Sequence, residues 1–408
     1  MHSLTLPWSK SIVNRLLVAQ HLAGKLPALL PNDGYYADDS ILLHRLLQQL
    51  EATARTTTDD TETYYCDNCG TAARFMAALL ALIPGTHILD GDTRLRQRPM
   101  KGLLAALRHG GAAIEAERDY LPCRITGTNL FANDINLDTS ESSQYASALL
   151  LAAPYIKGGL NLQIANHGEY PSKPYIEMTL KLMQRMGIEW NRTDDTITVL
   201  QGDYNCESLW QLMERDWSSA AFCYQAVATS HTGTTLLLRD LTLESLQGDS
   251  QTATLFEQLG VESRQTAEGV VITSTGRHIK KLNANLIDTP DLAPALACTA
   301  AALGIETHLS GIHTLTTKES NRIEAIASNL SALGYMAKAD SDNIYVEHSG
   351  NTKIGLPPNC RCNINGYNDH RIIMAFTILT KDQHIVNEHV SKSFPNFVKT
   401  LIANPQQL

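Results

Sequence analysis

Four glycines, at positions 111, 187, 260 and 334, recur at intervals of 76, 73 and 74 residues, and each closes a segment of the same kind. The segments are Leu107-Arg108-His109-Gly110-Gly111-Ala112, Met183-Gln184-Arg185-Met186-Gly187-Ile188, Phe256-Glu257-Gln258-Leu259-Gly260-Val261 and Leu330-Ser331-Ala332-Leu333-Gly334-Tyr335. Each reads as the end of an amphipathic helix, a turn and the start of a strand, with glycine where the backbone needs a positive φ. A second glycine series, at 127, 202, 276 and 350, follows β-prone runs at intervals of 75, 74 and 74. Two series in register exclude one irregular core and require a repeated α/β unit.

A third marker, a polar helix start running into a small-residue apolar helix, occurs six times, at Ser11, Thr71, Ser142, Ser218, Asp291 and Asp369. The chain of 408 residues exceeds one ordinary core, so two domains of roughly 200 residues are expected. The reading is six strand-and-helix units of about 70 residues, three per domain. The formal charge of −9 argues against a nucleic-acid surface, so any anionic ligand must be met by local positive clusters. No apolar run matches a signal peptide or a membrane span, which makes the cytoplasm the expected compartment. The eight cysteines, at 66, 69, 123, 206, 223, 298, 360 and 362, read as free thiols. Cys66-x-x-Cys69 and Cys360-x-Cys362 lack zinc-ribbon or finger spacing.

Chemistry concentrates at helix mouths, where free N–H groups and the positive end of the dipole favour anions. Asn368-Asp369-His370-Arg371 precedes an apolar helix and adds a guanidinium fork to such a mouth. Ser9-Lys10-Ser11 through Arg15 offers an ammonium, a hydroxyl and a fork suited to phosphate. In Asn68-Cys69-Gly70-Thr71 with Arg74, the glycine lets backbone N–H groups approach an anion, which a side chain at 70 would crowd. Ser142-Ser143-Gln144 and Ser172-Lys173-Pro174-Tyr175 supply further polar starts. Arg94, Arg96 and Arg98 alternate, which on an extended segment would place three guanidiniums on one face. Lys318-Glu319-Ser320-Asn321-Arg322 is read as opening a helix with Lys318 and Arg322 on a shared face. Asp291 and Lys392 complete the set.

In sequence order from Pro7 to Phe397, these segments resemble the enolpyruvyl transferase family and, within it, the 5-enolpyruvylshikimate-3-phosphate synthases. The matching motifs are Ser9-Lys10-Ser11 through Asn14-Arg15, Asn68 to Arg74, Arg98-Pro99, Ser142-Ser143-Gln144, Ser172 to Tyr175, Lys318 to Arg322, Asp369 to Arg371 and Lys392 to Pro395. Departures are Trp8 for a small residue, Phe75 for Pro, Thr316 for a basic residue, and Asn321 and Asn396 for Asp. About a strand's length less chain precedes the Lys-Ser motif than is usual in the family.

The resemblance implies an α/β fold of two similar domains, each of three βαβαββ repeats in an inside-out α/β barrel, with helix N-termini converging on an interdomain cleft. Residues 10–213 would form the first domain, and 1–9 with 214–408 the second. The implied reaction moves the enolpyruvyl group of phosphoenolpyruvate to the 5-hydroxyl of shikimate 3-phosphate and releases phosphate, without metal or cofactor. Lys10, Ser11, Arg15, Ser142, Ser143, Ser172, Asp291 and Lys318 would hold shikimate 3-phosphate. Lys10, Gly70, Arg98, Gln144, Arg322, Arg371 and Lys392 would hold phosphoenolpyruvate. Asp291, Glu319 and Lys10 would move protons. A monomer is implied, with no nucleic-acid or membrane partner. Two other readings are enolpyruvyl transfer to a UDP-linked amino sugar, whose start motif favours Lys-Asn, and a non-catalytic anion-binding relative.

Overall fold

The computed structural model of the chain describes residues 2–31, 33–53, 61–165, 170–347 and 364–402. It comprises two compact units: Lys10–Pro31 with Asp39–Met213, here the first unit, and Met1–Ser9 with Asn32–Asp38 and Glu214–Leu408, the second. In chain order the elements begin with β1 (His2–Thr5), α1 (Lys10–Leu22), α2 (Asp38–Thr53), β2 (Glu62–Tyr65), α3 (Gly70–Ala81), β3 (Gly85–Asp90), α4 (Lys101–His109), β4 (Ala113–Ala116) and β5 (Cys123–Gly127). There follow β6 (Asp134–Leu137), α5 (Gln144–Ala152), β7 (Leu160–Ile164), α6 (Lys173–Arg185), β8 (Trp190–Thr193) and β9 (Thr196–Val199). The rest are α7 (Trp217–Ala228), β10 (Thr235–Arg239), α8 (Thr252–Glu257), β11 (Val261–Thr266), β12 (Gly269–Ser274), β13 (Lys281–Asn285), α9 (Ala293–Leu303), β14 (Glu306–Ser310), α10 (Arg322–Ala332), β15 (Met336–Ala339), β16 (Ile344–Glu347) and α11 (His370–Thr380).

Among the described residues there are four four-stranded sheets: β2-β3-β5-β4 and β6-β7-β9-β8 in the first unit, β1-β10-β12-β11 and β13-β14-β16-β15 in the second. In each, the first pair is parallel and the other two are antiparallel. A parallel pair needs a crossover; α3, α5 and α9 supply it in three sheets, which yields the βαβαββ order, whereas the chain between β1 and β10 contains the first unit before α7 leads into β10. The helix-closing glycines 111, 187, 260 and 334 have φ values of 110°, 86°, 86° and 88°, so each makes the left-handed turn that the repeat requires. Gly350, Cys360 and Cys362 lie outside the described residues.

The six small-residue helices are α1, α3 and α5 in the first unit and α7, α9 and α11 in the second, and within each unit the three pack on one another. Their composition explains this: α7 is apolar nearly all round, every residue from Trp217 to Ala228 is buried, and a helix of that kind belongs in a core. The helices ahead of the turn glycines are amphipathic instead. α6, for example, buries Ile176, Met178, Leu180, Leu182 and Met183 while keeping Lys181 exposed. Sheets and amphipathic helices therefore surround a triplet of buried helices in each unit.

One boundary differs from expectation. Residues Asn32–Asp38 pack with the second unit rather than with the rest of 10–213. Trp8 N donates to Tyr35 O at 2.9 Å, Asn396 Nδ2 donates to Gly34 O at 2.7 Å, and Ser391 Oγ donates to Asp38 Oδ2. Trp8 also has a partner that explains its bulk: the Arg215 guanidinium stacks 3.6 Å from its ring centroid and 5.0 Å from that of Tyr35. β1 pairs in parallel with β10 from His2↔Leu236 to Thr5↔Arg239, so the short segment before the Lys-Ser motif still completes a sheet.

Candidate active site

The first unit brings two guanidiniums together at the mouth of α3. α3 begins at Gly70, and the Sγ of its cap Cys69 accepts from Ala72 N. One turn on, Arg74 is buried and donates to Gly70 O at 3.2 Å and Pro99 O at 2.6 Å. The same Pro99 carbonyl accepts from the Tyr145 hydroxyl at 2.7 Å, which pins the residue beside Arg98. Arg98 is only 6% exposed, and its Nε and Nη1 have no hydrogen-bond partner among the described residues. Burial, then the neighbouring Arg98, lowers the Arg74 pKa to about 10. Gln144 Nε2 donates to Thr71 Oγ1 at 3.1 Å, so the mouths of α5 and α3 meet, with Ser143 at the α5 cap and Ser142 Oγ accepting from Gln144 N at 3.2 Å.

The remaining groups of this unit are already engaged. Lys10 Nζ donates to Asp39 Oδ2 at 2.9 Å, a pair held on a buried carboxylate. Arg15 is buried and donates to Thr179 Oγ1 (2.7 Å), Ser11 O (2.7 Å), Ser147 Oγ (2.9 Å) and Tyr175 O (3.1 Å). All four acceptors are neutral, so Arg15 keeps its charge uncancelled while burial lowers its pKa to about 10. Ser172 starts α6 with φ 59°, a strained value for a side-chain-bearing residue, and its hydroxyl makes no cap.

In the second unit a different logic operates, in which one carboxylate gathers three cations. Asp291 Oδ1 lies 2.8 Å from Arg322 Nη1 and 3.6 Å from Lys318 Nζ, and its Oδ2 lies 3.2 Å from Arg371 Nη2. Burial alone would raise its pKa, but Arg371, Lys318 and Arg322 outweigh burial and hold it well below the carboxylate range. Arg322, 1% exposed, also donates to Asp369 through Nε (2.8 Å) and Nη2 (3.1 Å) and to Glu319 Oε2 at 2.5 Å. Burial opposes its charge, yet Asp369, Glu319 and Asp291 raise its pKa well above normal. Asp369 caps α11, its Oδ1 accepting from Arg371 N at 3.0 Å. Lys392 ends a 3-10 turn (Glu388–Lys392) packed against α11.

Two expectations are corrected by this geometry. Leu95–Gln97 is a 3-10 turn rather than an extended segment, because Asp92 caps it through Leu95 N at 2.7 Å, so the three arginines diverge. Arg96 grips Asp90 at 2.6 and 2.9 Å on the surface, and only Arg98 is buried. Lys318 and Arg322 do not share a helix face. Asn321 caps α10 by accepting from Glu324 N, which leaves Lys318 in extended backbone, and the two cations meet through Asp291 instead. Arg371 faces a protein carboxylate, Asp291. Sequence reasoning also missed Asp39, Ser147, Thr179 and Asp369 as partners of the site cations. Only the Asp-capped helix start of α11 carried a readable signal.

Glu319, Asp369 and His370 bring ligand atoms within 4.8 Å of one another, a spacing that would suit a metal. Arg322 already occupies both carboxylates, so the set is a guanidinium cradle. Phe75 fills the core under Arg15, whose guanidinium lies 5.8 Å from its ring. Thr316 turns back on His313 O at 2.7 Å.

Comparison with known proteins agrees with these motifs. A profile described as EPSP synthase (3-phosphoshikimate 1-carboxyvinyltransferase) matches residues 44–401. The chain is 35% identical over 406 residues to a 3-phosphoshikimate 1-carboxyvinyltransferase of Bacteroides fragilis strain YCH46, covering 97% of this chain and 93% of that protein. It is 30% identical over 418 residues to one of Syntrophobacter fumaroxidans, covering 97% and 95%. An EPSP synthase structure from Acinetobacter baumannii superposes with a TM-score of 0.67 at 22% identity, covering 99% and 95%. Family profile, relatives and fold agree over nearly the whole length, and the chain belongs to the EPSP synthase (3-phosphoshikimate 1-carboxyvinyltransferase) family.

Proposed function

We propose that this protein transfers the enolpyruvyl group of phosphoenolpyruvate to the 5-hydroxyl of shikimate 3-phosphate, giving 5-enolpyruvylshikimate 3-phosphate and phosphate on the route to chorismate and the aromatic amino acids. The observation that carries the reading is Arg98, a buried guanidinium beside Arg74 at the Gly70 helix mouth, whose Nε and Nη1 have no partner among the described residues. A pair of buried like charges is costly until an anion joins it. In this reading phosphoenolpyruvate engages Lys10, Gly70, Arg98, Gln144, Arg322, Arg371 and Lys392. Shikimate 3-phosphate engages Lys10, Ser11, Arg15, Ser142, Ser143, Ser172, Asp291 and Lys318.

The chemistry needs a base for the 5-hydroxyl and an acid for the phosphoenolpyruvate methylene, then the reverse proton movement as phosphate leaves the tetrahedral intermediate. Asp291 takes the hydroxyl proton while the oxygen adds to C2 of phosphoenolpyruvate, and Glu319 and Lys10 serve the proton that its methylene carbon takes up in the same addition. Three cations make the resting Asp291 a weak base. Substrate phosphates and carboxylate that draw Arg371, Arg322 and Lys318 toward themselves return basicity to it, so base strength arrives with the substrates. Reaction in the cytoplasm and a monomeric state complete the proposal. Among the described residues no helix is long and apolar enough to cross a membrane.

Phosphate release from phosphoenolpyruvate, measured with shikimate 3-phosphate and separately with a UDP-linked amino sugar, tests the reading. Release with the first acceptor alone is expected, and release with neither by folded protein overturns it. Full turnover by Lys10→Met would remove Lys10 from the mechanism, and light scattering on the eluting protein checks the monomer.

A further inference from the structure

Asp249 is a buried carboxyl beside this machinery that no step above uses. It sits in a 3-10 turn (Gly248–Gln251), 2% exposed, with Oδ2 accepting from Ser218 Oγ in the first turn of α7. Its Oδ1 is buried with no hydrogen-bond partner among the described residues. The charges whose fields reach it come from three elements: Asp291 ahead of α9, Arg371 in α11 and Asp216 at the cap of α7. Asp291 holds three cations, yet Asp249 makes no ion pair among the described residues. It shares only the field of Arg371, which Asp291 contacts directly. Burial first and Asp291 second push its pKa up to about 6, against the pull of Arg371 and the Ser218 hydroxyl. An anion docking on Arg371 repels the Asp249 carboxylate and absorbs the field that steadied it. Both effects favour the neutral acid.

We propose that Asp249 is a positioning residue that couples anion binding at Arg371 to uptake of one proton from solvent: its carboxyl is neutral in the loaded site, and its charge in the free protein opposes loading. The inference rests on the assignment of Arg371 to phosphoenolpyruvate. Raising pH therefore weakens phosphoenolpyruvate binding beyond the effect of the substrate's own titration. Asp249→Asn holds the side chain neutral at every pH. Ser218→Ala removes a donor that favours the carboxylate, so it shifts the midpoint upward.

The test is KM for each substrate and kcat between about pH 5 and pH 9 for wild type, Asp249→Asn, Ser218→Ala and Arg371→Gln, each checked by thermal melting. Taking the ratio of wild type to variant cancels the titration of phosphoenolpyruvate. The wild-type to Asp249→Asn ratio of KM for phosphoenolpyruvate should approach one at the acid end. At the alkaline end it should rise to about tenfold, the Coulomb effect of one unit charge a few side-chain lengths away at an effective dielectric of about 20. A ratio that does not vary with pH in folded protein overturns the proposal. If Asp249→Asn does not fold, an unmoved midpoint in Ser218→Ala overturns it equally. Arg371→Gln separates the two ideas. An unchanged KM for phosphoenolpyruvate in that variant removes the Arg371 assignment and this inference with it, whereas a raised KM beside a flat Asp249→Asn ratio removes this inference alone.

Discussion

Replacing Gly70 by alanine tests the anion mouth of α3 at its tightest point. A Cβ built on Gly70 falls 2.6 Å from Arg98 Cζ and 2.7 Å from Arg74 Nη1, so it meets guanidiniums before it meets any ligand. Arg74 is tied to Gly70 O and Pro99 O, whereas Arg98 Nε and Nη1 have no partner among the described residues, so Arg98 is the group that yields. Restoring ordinary non-bonded separation takes a displacement of about 1 Å. A shift of that size degrades charge-assisted hydrogen bonds worth about 1.5–3 kcal/mol, which corresponds to a rise of roughly 10- to 100-fold in KM for phosphoenolpyruvate. The overpacking costs about 1–3 kcal/mol of stability. Steady-state phosphate release with each substrate varied in turn, beside a thermal melt, reads both effects. KM for shikimate 3-phosphate should stay within about twofold, because Arg98 is assigned to the other substrate. A folded Gly70→Ala protein whose KM for phosphoenolpyruvate matches wild type would refute the placement of Arg98 as the anion's partner.

Arg322→Met removes the cation that Asp369, Glu319 and Asp291 share, and calorimetric unfolding should show a loss of about 3–5 kcal/mol; a loss under 1 kcal/mol would mean that the network is not a buried ion cluster. Trp8→Ala removes the face on which Arg215 stacks, and the melting temperature should fall by several degrees, corresponding to about 2 kcal/mol for a desolvated cation–π contact. Stability should also carry opposite pH signatures from two aspartates. Asp249, with its folded pKa raised to about 6, holds a proton that the unfolded chain has lost, so it lowers stability as pH rises from about 4 to 6. Asp249→Asn should recover up to about 3 kcal/mol at pH 7 and nothing near pH 4, read by denaturant unfolding at each pH. Asp291, depressed in the fold, contributes stability above the ordinary carboxyl pKa that is lost as pH falls below it, so acid destabilisation should shrink in Asp291→Asn.

The repeat was legible because its turns need a property that few residues have. A helix that reverses into a strand through a left-handed residue calls for glycine, so Gly111, Gly187, Gly260 and Gly334 expose the period without any knowledge of packing. The six inner helices were legible for a related reason: Ala-rich, nearly uncharged segments after polar starts have only a core to occupy. Motif residues such as Lys10, Asp291 and Arg322 stood out as charges at helix starts, and Arg98 as one of three alternating arginines. Their partners did not stand out. Asp39 lies 29 positions from Lys10, Thr179 lies 164 from Arg15 and Asp369 lies 47 from Arg322, and no local pattern links such pairs.

By itself, then, the sequence determined the repeated α/β architecture, the identity of the inner helices and the set of charged residues available for anion chemistry, because each follows from backbone permissiveness or apolar periodicity within a short window. Tertiary structure alone decided what each charge faces. Among the described residues it left Arg98 Nε and Nη1 and Asp249 Oδ1 buried without hydrogen-bond partners, set Arg322 among three carboxylates, and joined Lys318 to Arg371 through Asp291. The reason is electrostatic: the state of a buried charge depends on neighbours within a few ångströms, and distant segments of the chain supply them.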